Sequence, residues 1–239
     1  MALNRIAPRG DLPITLQGGE PTQHPDFNFI VINVRKDLHL DVLTNLEFDV
    51  AKFMREVAPD RIKRDAPYAS IRVSYHPEVM QLAPLVEKVL LLQHAGYSIG
   101  IWAVGHPRYE RQIQLAATYC EECGLDFRTK EFLGEYQGRT YGTYRYPGSC
   151  SRQERRKVMC RSSELIIGPN GGIYRCHSDL YCGINPIGTI LDPEFEVDSG
   201  FHKCNDYGYC NPCDVKTKTD RFQINGHTAV EIMPLINVT

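Results

Sequence analysis

The sequence predicts an α/β fold followed by a small cysteine-rich β-hairpin domain, and three observations lead to this prediction. Short β-prone runs alternate with helix-length amphipathic segments from residue 11 to about residue 133, which is typical of a parallel sheet with helical crossovers. A glycine pair follows the first of these runs, and all nine cysteines lie at or after Cys120. We predict domains over residues 1–135 and 160–239, joined over 136–159 by a Gly- and Tyr-rich segment that is a linker or an ordered loop.

The first predicted domain alternates strands with helices along its whole length. The predicted strands cover residues 12–16, 40–43, 70–74, 98–104 and 126–132, and the predicted helices cover residues 26–35, 50–57, 77–94 and 108–123. Apolar residues recur with helical spacing in the third helix, and Gly96 follows as its C-terminal stop. Cys120 and Cys123 share one face of the fourth helix, where we expect them to pack against the sheet.

The charge balance argues against a nucleic-acid partner. The 27 basic and 29 acidic residues nearly cancel, so the chain offers no broad field that would attract nucleic acid or an anionic membrane surface. One dense basic run contains Arg152, Arg155, Arg156, Lys157 and Arg161. A solvated segment explains this run better than an anion site or a nucleic-acid site.

The distribution of apolar residues predicts a soluble, cytoplasmic protein without a membrane partner. The longest apolar stretch, residues 89–104, is interrupted by polar residues and glycines and is too short to span a bilayer. The first residues, MALNRIAPRGD, lack the long apolar segment of a secretory signal. In a reducing compartment, cysteines serve as metal ligands more often than as disulfides.

Small or polar residues stand where four of the predicted strands end. The groups are Gly18-Gly19-Glu20, Thr44-Asn45, Ser74-Tyr75-His76 and Gly105-His106. Because the carboxyl ends of parallel strands meet at one edge of a sheet, this row predicts a single ligand pocket. For Asn45 alone, capping of the following helix is an equally good explanation.

The glycine pair belongs to the hexapeptide LQGGEP. Two glycines remove side-chain bulk and let backbone groups approach a ligand closely, and the Glu20 carboxylate can hold an ammonium group. Pro21 cannot continue a strand ladder and ends the strand. The tetrapeptide GGEP within this hexapeptide also occurs in ordinary turns between a strand and a helix. It indicates a ligand site only in combination with the other motifs of the chain.

Several segments together resemble the radical S-adenosylmethionine (SAM) enzymes. ITLQGGEPTQHPDF is similar to the GGEP motif on their second barrel strand, DVLTNL to the LTN motif of the third strand, IRVSYHPE to the fourth-strand end, and IWAVGHP to the fifth. The resemblance implies a partial (β/α) barrel that lacks its first strand. The residues it assigns to SAM are Gly18, Gly19, Glu20, Pro21, Asn45, Ser74 and Val104.

The C-terminal region contains two cysteine patterns that predict a thiolate metal site. In CRSSELIIGPNGGIYRC, a predicted hairpin with a turn at residues 169–172 brings Cys160 and Cys176 to one edge. In KCNDYGYCNPC, the C-x2-C pair formed by Cys210 and Cys213 lets two sulfurs face one metal centre. Four thiolates suit either zinc or a 4Fe-4S cluster, and spacing alone does not choose between them.

The order of these cysteines resembles the auxiliary-cluster domains of radical SAM enzymes, called SPASM in the two-cluster form and twitch in the one-cluster form. INPIGTILDPEF is similar to the strand segment between their cysteine groups. The chain has C-x5-C-x2-C where the full SPASM order has C-x2-C-x5-C-x3-C, so one auxiliary cluster is expected. The resemblance implies the ligands Cys160, Cys176, Cys210 and Cys213, with Cys204 as first substitute. Cys150 and Cys182 stay unassigned.

The resemblance implies an oxidoreductase that cleaves SAM reductively to a deoxyadenosyl radical and modifies a peptide or small-molecule substrate. Glu20 and the glycine backbone would orient the SAM amino group, and Asn45 its carboxylate or ribose. An electron donor such as flavodoxin or ferredoxin would supply the electron. The alternative is a non-catalytic relic or binding module that holds structural zinc or an iron-sulfur site.

In this family, three cysteines of a C-x3-C-x2-C motif upstream of GGEP bind the SAM-cleaving cluster. This sequence has no cysteine before Cys120, and MALNRIAPRGD resembles the end of the helix that precedes GGEP. We expect Met1 to be an internal methionine, with the upstream coding DNA continuing in frame into a C-x3-C-x2-C segment. Sequencing of that DNA checks the expectation, and an in-frame stop codon close to Met1 would contradict it.

Overall fold

A computed structural model of the chain describes residues 2–8, 12–162, 164–215 and 230–235. These residues fall into two units, Met1–Phe132 and Leu133–Thr239. The second unit contains the segment 136–159, which the sequence assigned to a linker or an ordered loop. This segment is folded because Tyr144 and Tyr146 pack against a small core that includes Val215 and Val230.

Five parallel strands form the sheet of the first unit. They are β1 (Ile14–Leu16), β2 (Leu40–Thr44), β3 (Ile71–Tyr75), β4 (Ile99–Gly105) and β5 (Phe127–Glu131), and they are hydrogen-bonded in sequential order. The mixed α/β fold with a parallel sheet is therefore confirmed. Among the described residues, β1 and β5 are the two outer strands in this order.

Four helices connect these strands: α1 (Phe27–Asn33), α2 (Val50–Glu56), α3 (Leu82–His94) and α4 (Glu110–Glu122). The spaced apolar residues of α3 are buried against the sheet, as predicted, with Val89 and Leu92 fully inaccessible. Cys120 is fully buried in the same core and Cys123 packs against it. None of the described helices is both long and apolar enough to cross a membrane.

The two faces of the sheet differ in character because strand residues alternate between them. One face carries the apolar core, which includes Val42, Val73 and Ile101. The opposite face, here called the polar face, carries the residues between them. Its members on β2, β3, β4 and β5 are Asp41, Leu43, Arg72, Ser74, Trp102 and Arg128. Trp102 packs there with Tyr68 and Ala69 in a separate small cluster.

The second unit consists of short antiparallel strands. A hairpin pairs β6 (Gly134–Tyr136) with β7 (Arg139–Tyr141). One three-stranded sheet has the order β12-β8-β13, formed by His202–Tyr207, Arg156–Ser162 and Val230–Pro234; another has the order β11-β10-β9, formed by Gly188–Thr189, Gly172–Tyr174 and Ile166–Ile167. The short helices α5 (His177–Cys182) and α6 (Pro212–Val215) follow β10 and β12.

The predicted hairpin over residues 164–176 forms, with β9 paired to β10 and Gly171 at φ +80° in the turn. Cys160, however, lies outside it. Cys160 occupies β8, where it faces His202 of β12 and Ile232 of β13. The expectation that the hairpin itself aligns Cys160 with Cys176 is therefore wrong, because the strand containing Cys160 pairs with distant segments instead.

Candidate functional site

The carboxyl ends of β1, β2 and β3 surround a cavity of about 220 Å³. Its lining residues are Gln17, Gly18, Gly19, Glu20, Leu43, Thr44, Asn45, Ser74 and His76. Two residues of the SAM set implied by the resemblance are not among them. Pro21 begins the 3-10 helix Pro21–Gln23 that follows β1. Val104 lies on β4 beside Lys130 and is 43 % exposed.

Gly18 and Gly19 form an open backbone rim at this cavity. Gly18 has φ +100° and Gly19 has φ +51°, a region that residues with a Cβ rarely adopt. A Cβ built on either glycine would meet no heavy atom within 4 Å. The rim therefore exposes peptide groups to open space that any larger residue would fill.

The Glu20 carboxylate joins the ends of β1 and β2. Its Oε1 accepts hydrogen bonds from the Thr22 amide at 3.1 Å, the Thr22 hydroxyl, and the Thr44 hydroxyl at 2.7 Å. Its Oε2 accepts one, from the Asn45 amide at 2.7 Å. Since each carboxylate oxygen offers two lone pairs, Oε2 keeps one acceptor direction that no described residue occupies.

Thr44 and Asn45 shape the other side of the same cavity. The Thr44 hydroxyl also accepts a hydrogen bond from the Leu46 amide at 3.0 Å, next to the unusual φ of +58° at Leu46. The Asn45 side-chain oxygen accepts from the Glu47 amide at 3.0 Å, which closes a local turn two residues long. Asn45 does not cap the following helix, because Asp49 is the N-cap of α2. Thr44 belongs to the predicted row of strand-end residues and lines the cavity, as does His76, whereas Gly105 and His106 are not among the lining residues.

The Asn45 side-chain amide nitrogen and the Ser74 hydroxyl at the cavity have no hydrogen-bond partner among the described residues, and the same holds for the Gln17 side-chain amide. Together with Glu20 Oε2, they give the cavity a donor, a hydroxyl and an acceptor. A small number of such groups around a concave site is typical of ligand pockets.

Three of the five predicted cysteine ligands influence one another electrostatically. Burial, together with the neighbouring Cys204 and Cys210, raises the pKa of the Cys160 thiol to about 12. Burial likewise raises the pKa of Cys210 to about 11, with added effects of Cys204 and Cys150. Cys204, expected only as a substitute ligand, therefore lies with Cys160 and Cys210.

Backbone amides support two of the sulfurs. The Asp179 amide donates to Cys176 Sγ and the Asp206 amide donates to Cys204 Sγ, each at 3.4 Å. Amide donors of this kind stabilise thiolates that bind a metal. The thiols and their amide donors thus have the chemistry of a thiolate metal site.

A buried carboxylate that sequence reasoning missed lies beside these cysteines. Asp214 is 5 % exposed and contacts His177 Nδ1 at 2.6 Å. After burial itself, the charge of Asp214 is among the causes that raise the pKa of Cys160 and Cys176. Its position directly after Cys213 was the only signal in the sequence.

The predicted cysteine ligands do not surround a common point in the described part of the chain. Across residues 2–8, 12–162, 164–215 and 230–235, no three His, Cys, Asp or Glu side chains are arranged to hold a metal ion. Cys176 precedes α5 as its N-cap, and Cys213 lies in α6 and is exposed. The donor chemistry fits a metal, and the ligand set stays a prediction.

No protein-family model, curated protein or solved structure matches this chain. The two candidate sites are therefore interpreted from their own residues and from the motifs that they contain.

We predict that Glu20→Gln lowers the free energy of unfolding of the first unit by about 1 to 3 kcal/mol. The glutamine NH2 group would lie against the N–H and O–H groups of Thr22, Thr44 or Asn45, which need an acceptor. Urea unfolding followed by fluorescence of Trp102, the only tryptophan of the chain, measures this. The control is Glu122→Gln at the exposed end of α4, expected within about 0.5 kcal/mol of wild type. Equal stability of the two variants would contradict the bridging role of Glu20.

We predict that Cys160→Ser and Cys210→Ser each lose most of the iron and acid-labile sulfide that the wild-type chain takes up on anaerobic reconstitution, because a hydroxyl is a poor ligand for iron in such clusters. Cys123→Ser, which alters a thiol packed against the core of the first unit, is the matched control. Zinc without acid-labile sulfide in the wild-type chain would contradict an iron-sulfur cluster.

Proposed function

We propose that the protein is a radical SAM enzyme with a SPASM- or twitch-like auxiliary iron-sulfur domain. In this proposal the parallel sheet is the partial barrel, and the cavity at its strand ends binds SAM. One observation carries the proposal: Gly18, Gly19, Glu20, Asn45 and Ser74, which come from three separate motifs, line a single cavity.

The open backbone at Gly18 and Gly19 supports a ligand that contacts the peptide groups of the cavity directly. The peptide groups of Gly18 and Gly19 border open space, so an amino acid moiety can approach them without meeting side chains. The positive φ of both residues makes them unsuitable for larger side chains. These features suit the methionine end of SAM.

The available polar groups match the two charged groups of that end. Glu20 Oε2 has one acceptor direction left and can hold the ammonium group of SAM. The side-chain nitrogen of Asn45 can donate to its carboxylate or ribose, since the Asn45 oxygen is engaged with Glu47. Ser74 offers a further hydroxyl at the β3 end.

When bound to a reduced 4Fe-4S cluster, SAM supplies one-electron chemistry that removes hydrogen from a substrate. The chain contributes orientation: four hydrogen bonds fix Glu20, and that fixed carboxylate sets where the ammonium group lies. The proposal requires three further cysteine ligands, spaced as C-x3-C-x2-C, for the cluster that binds SAM. An electron donor such as flavodoxin or ferredoxin and a peptide or small-molecule substrate complete it.

The second unit would hold the auxiliary cluster. Cys160, Cys204 and Cys210 are neighbours, and amide donors face Cys176 and Cys204. These contacts support a site built from thiolate ligands. Anaerobic reconstitution shows whether that site binds an iron-sulfur cluster or structural zinc.

We predict that this chain binds SAM in isothermal titration calorimetry. Asn45→Asp should weaken this binding about tenfold or more, because the new side-chain carboxylate would repel the carboxylate of SAM. The new residue keeps the oxygen that accepts from Glu47, so the local turn is retained. Glu122→Gln is expected to bind SAM like wild type. Equal affinity of wild type and Asn45→Asp would contradict the cavity assignment.

The enzymatic half of the proposal is tested on the N-terminally extended chain, reconstituted anaerobically with iron and sulfide. Dithionite and SAM should then yield deoxyadenosine. A reconstituted protein that binds SAM without forming deoxyadenosine would overturn the enzyme proposal in favour of a binding module.

A further inference from the structure

Cys160 and Cys204 lie on one face of the three-stranded sheet β12-β8-β13. Cys160 pairs with His202 in the antiparallel register of β8 and β12. Two residues further along each strand, Cys204 pairs with Val158. Because positions two residues apart on a strand share a face, the two cysteines are diagonal neighbours across the strand pair. Diagonal neighbours of this kind are about 7 to 8 Å apart, so their side chains can reach a common ion.

The same face of the sheet packs against the small core of the second unit. Ile232 on β13 belongs to this face, because it is the other register partner of Cys160. Cys150 and Cys210 lie outside the sheet, yet both pack against this core together with Cys160. Three thiols from separate segments therefore meet at one apolar core, and the fourth, Cys204, lies beside Cys160 on the sheet.

The charges of these four thiols act on one another, which agrees with their packing. After burial, Cys204 and Cys210 are the main causes that raise the pKa of Cys160. Burial also raises the pKa of Cys210, and the charges of Cys204 and Cys150 add to this effect. Because charges affect a pKa in this way only at short distances, Cys210 is a neighbour of all three other thiols.

Cys176 and Cys213, which the resemblance includes among the ligands, have different surroundings. Cys176 is the N-cap of α5, and its sulfur accepts the Asp179 amide at 3.4 Å, so a capping role explains its contact. Burial and the charges of Asp179 and Asp214 raise its pKa. Cys213 is exposed in α6. Its charge acts on Cys150, but in the described part of the chain Cys213 is not packed against the small core.

We propose that four thiols of the second unit bind one metal centre: Cys150, Cys160, Cys204 and Cys210. This ligand set rests on the thiolate site of the proposed function, and it replaces Cys176 and Cys213 of the implied set. Four soft thiolate ligands suit zinc or an iron-sulfur cluster. In the metal-free chain the described side chains do not surround an ion, so binding must draw the sulfurs together and release their protons.

The test titrates the reduced chain anaerobically with Co²⁺, whose thiolate-to-metal absorption reports directly on sulfur ligands. We expect saturable binding by the wild-type chain. Cys150→Ser and Cys204→Ser should each weaken Co²⁺ binding about tenfold or more, because a hydroxyl is a poor substitute for a thiolate. Cys176→Ser and Cys213→Ser are the matched controls and should bind Co²⁺ within about twofold of wild type.

A second measurement uses the wild-type chain and therefore does not depend on the folding of a variant. The chain is treated with iodoacetamide with and without Co²⁺, and mass spectrometry measures the alkylation of each cysteine. Co²⁺ should slow the alkylation of Cys150 and Cys204, because a metal-bound sulfur is a weaker nucleophile. The exposed thiols of Cys182 and Cys213 should react equally with and without the metal.

Three results would overturn the inference: no Co²⁺ binding by the wild-type chain, a loss of affinity in either control variant as large as that in Cys150→Ser, or protection of Cys213 without protection of Cys150. The titration needs neither SAM nor sulfide. Absence of deoxyadenosine formation therefore overturns the proposed enzyme alone. Unchanged Co²⁺ affinity in folded Cys150→Ser and Cys204→Ser overturns this ligand set alone, since Cys160 and Cys210 belong to both sets.

Discussion

The hydrogen bonds of the Glu20 carboxylate are the constraint on which the candidate site depends. They fix the segment after β1 against the end of β2, and every residue of the cavity rim lies on or next to those two segments or on β3. A carboxylate that accepts several bonds from its own chain is rigid, and rigidity is what a ligand site needs from its anchoring group. The same contacts leave a single acceptor direction on Oε2. One side chain thus holds two strand ends together and offers a free acceptor to the cavity.

The polar face of the sheet presents a second constraint, which concerns charge. Placing Asp41, Arg64 and Arg72 in a region with little solvent is costly unless their charges balance. The pairs with Asp41 balance one arginine and leave the other short of partners. Both guanidinium groups also lie over the Tyr68 ring, at 4.8 Å and 5.4 Å from its centroid, which offsets part of the cost.

The second unit differs from the first in that cysteine thiols form part of its small core. Its sheets are short, and its core includes thiols as well as Val215 and Val230, with Cys150, Cys160 and Cys210 packed against them. Burial raises the pKa values of these thiols, so the protonated forms are favoured in the metal-free chain. A metal that binds these thiols would have to displace those protons, so its affinity would rise with pH. The carboxylate of Asp214 adds negative charge at the same place and favours a cation there.

The sequence by itself determined the order of strands and helices in the first unit, the buried face of α3 and the hairpin turn at Gly171, because these depend on local spacing and on glycine. It also indicated that Gly18, Asn45 and Ser74 would share a pocket, since parallel strands end at one edge. Only the tertiary structure decided that Glu20 is already engaged by Thr44 and Asn45, that Cys160 leaves the hairpin for another sheet, and that the segment 136–159 is an ordered part of the second unit. It alone also placed Arg64 and Arg72 on Asp41. Each of these facts is a contact between residues far apart in the chain, and local patterns carry no record of such contacts.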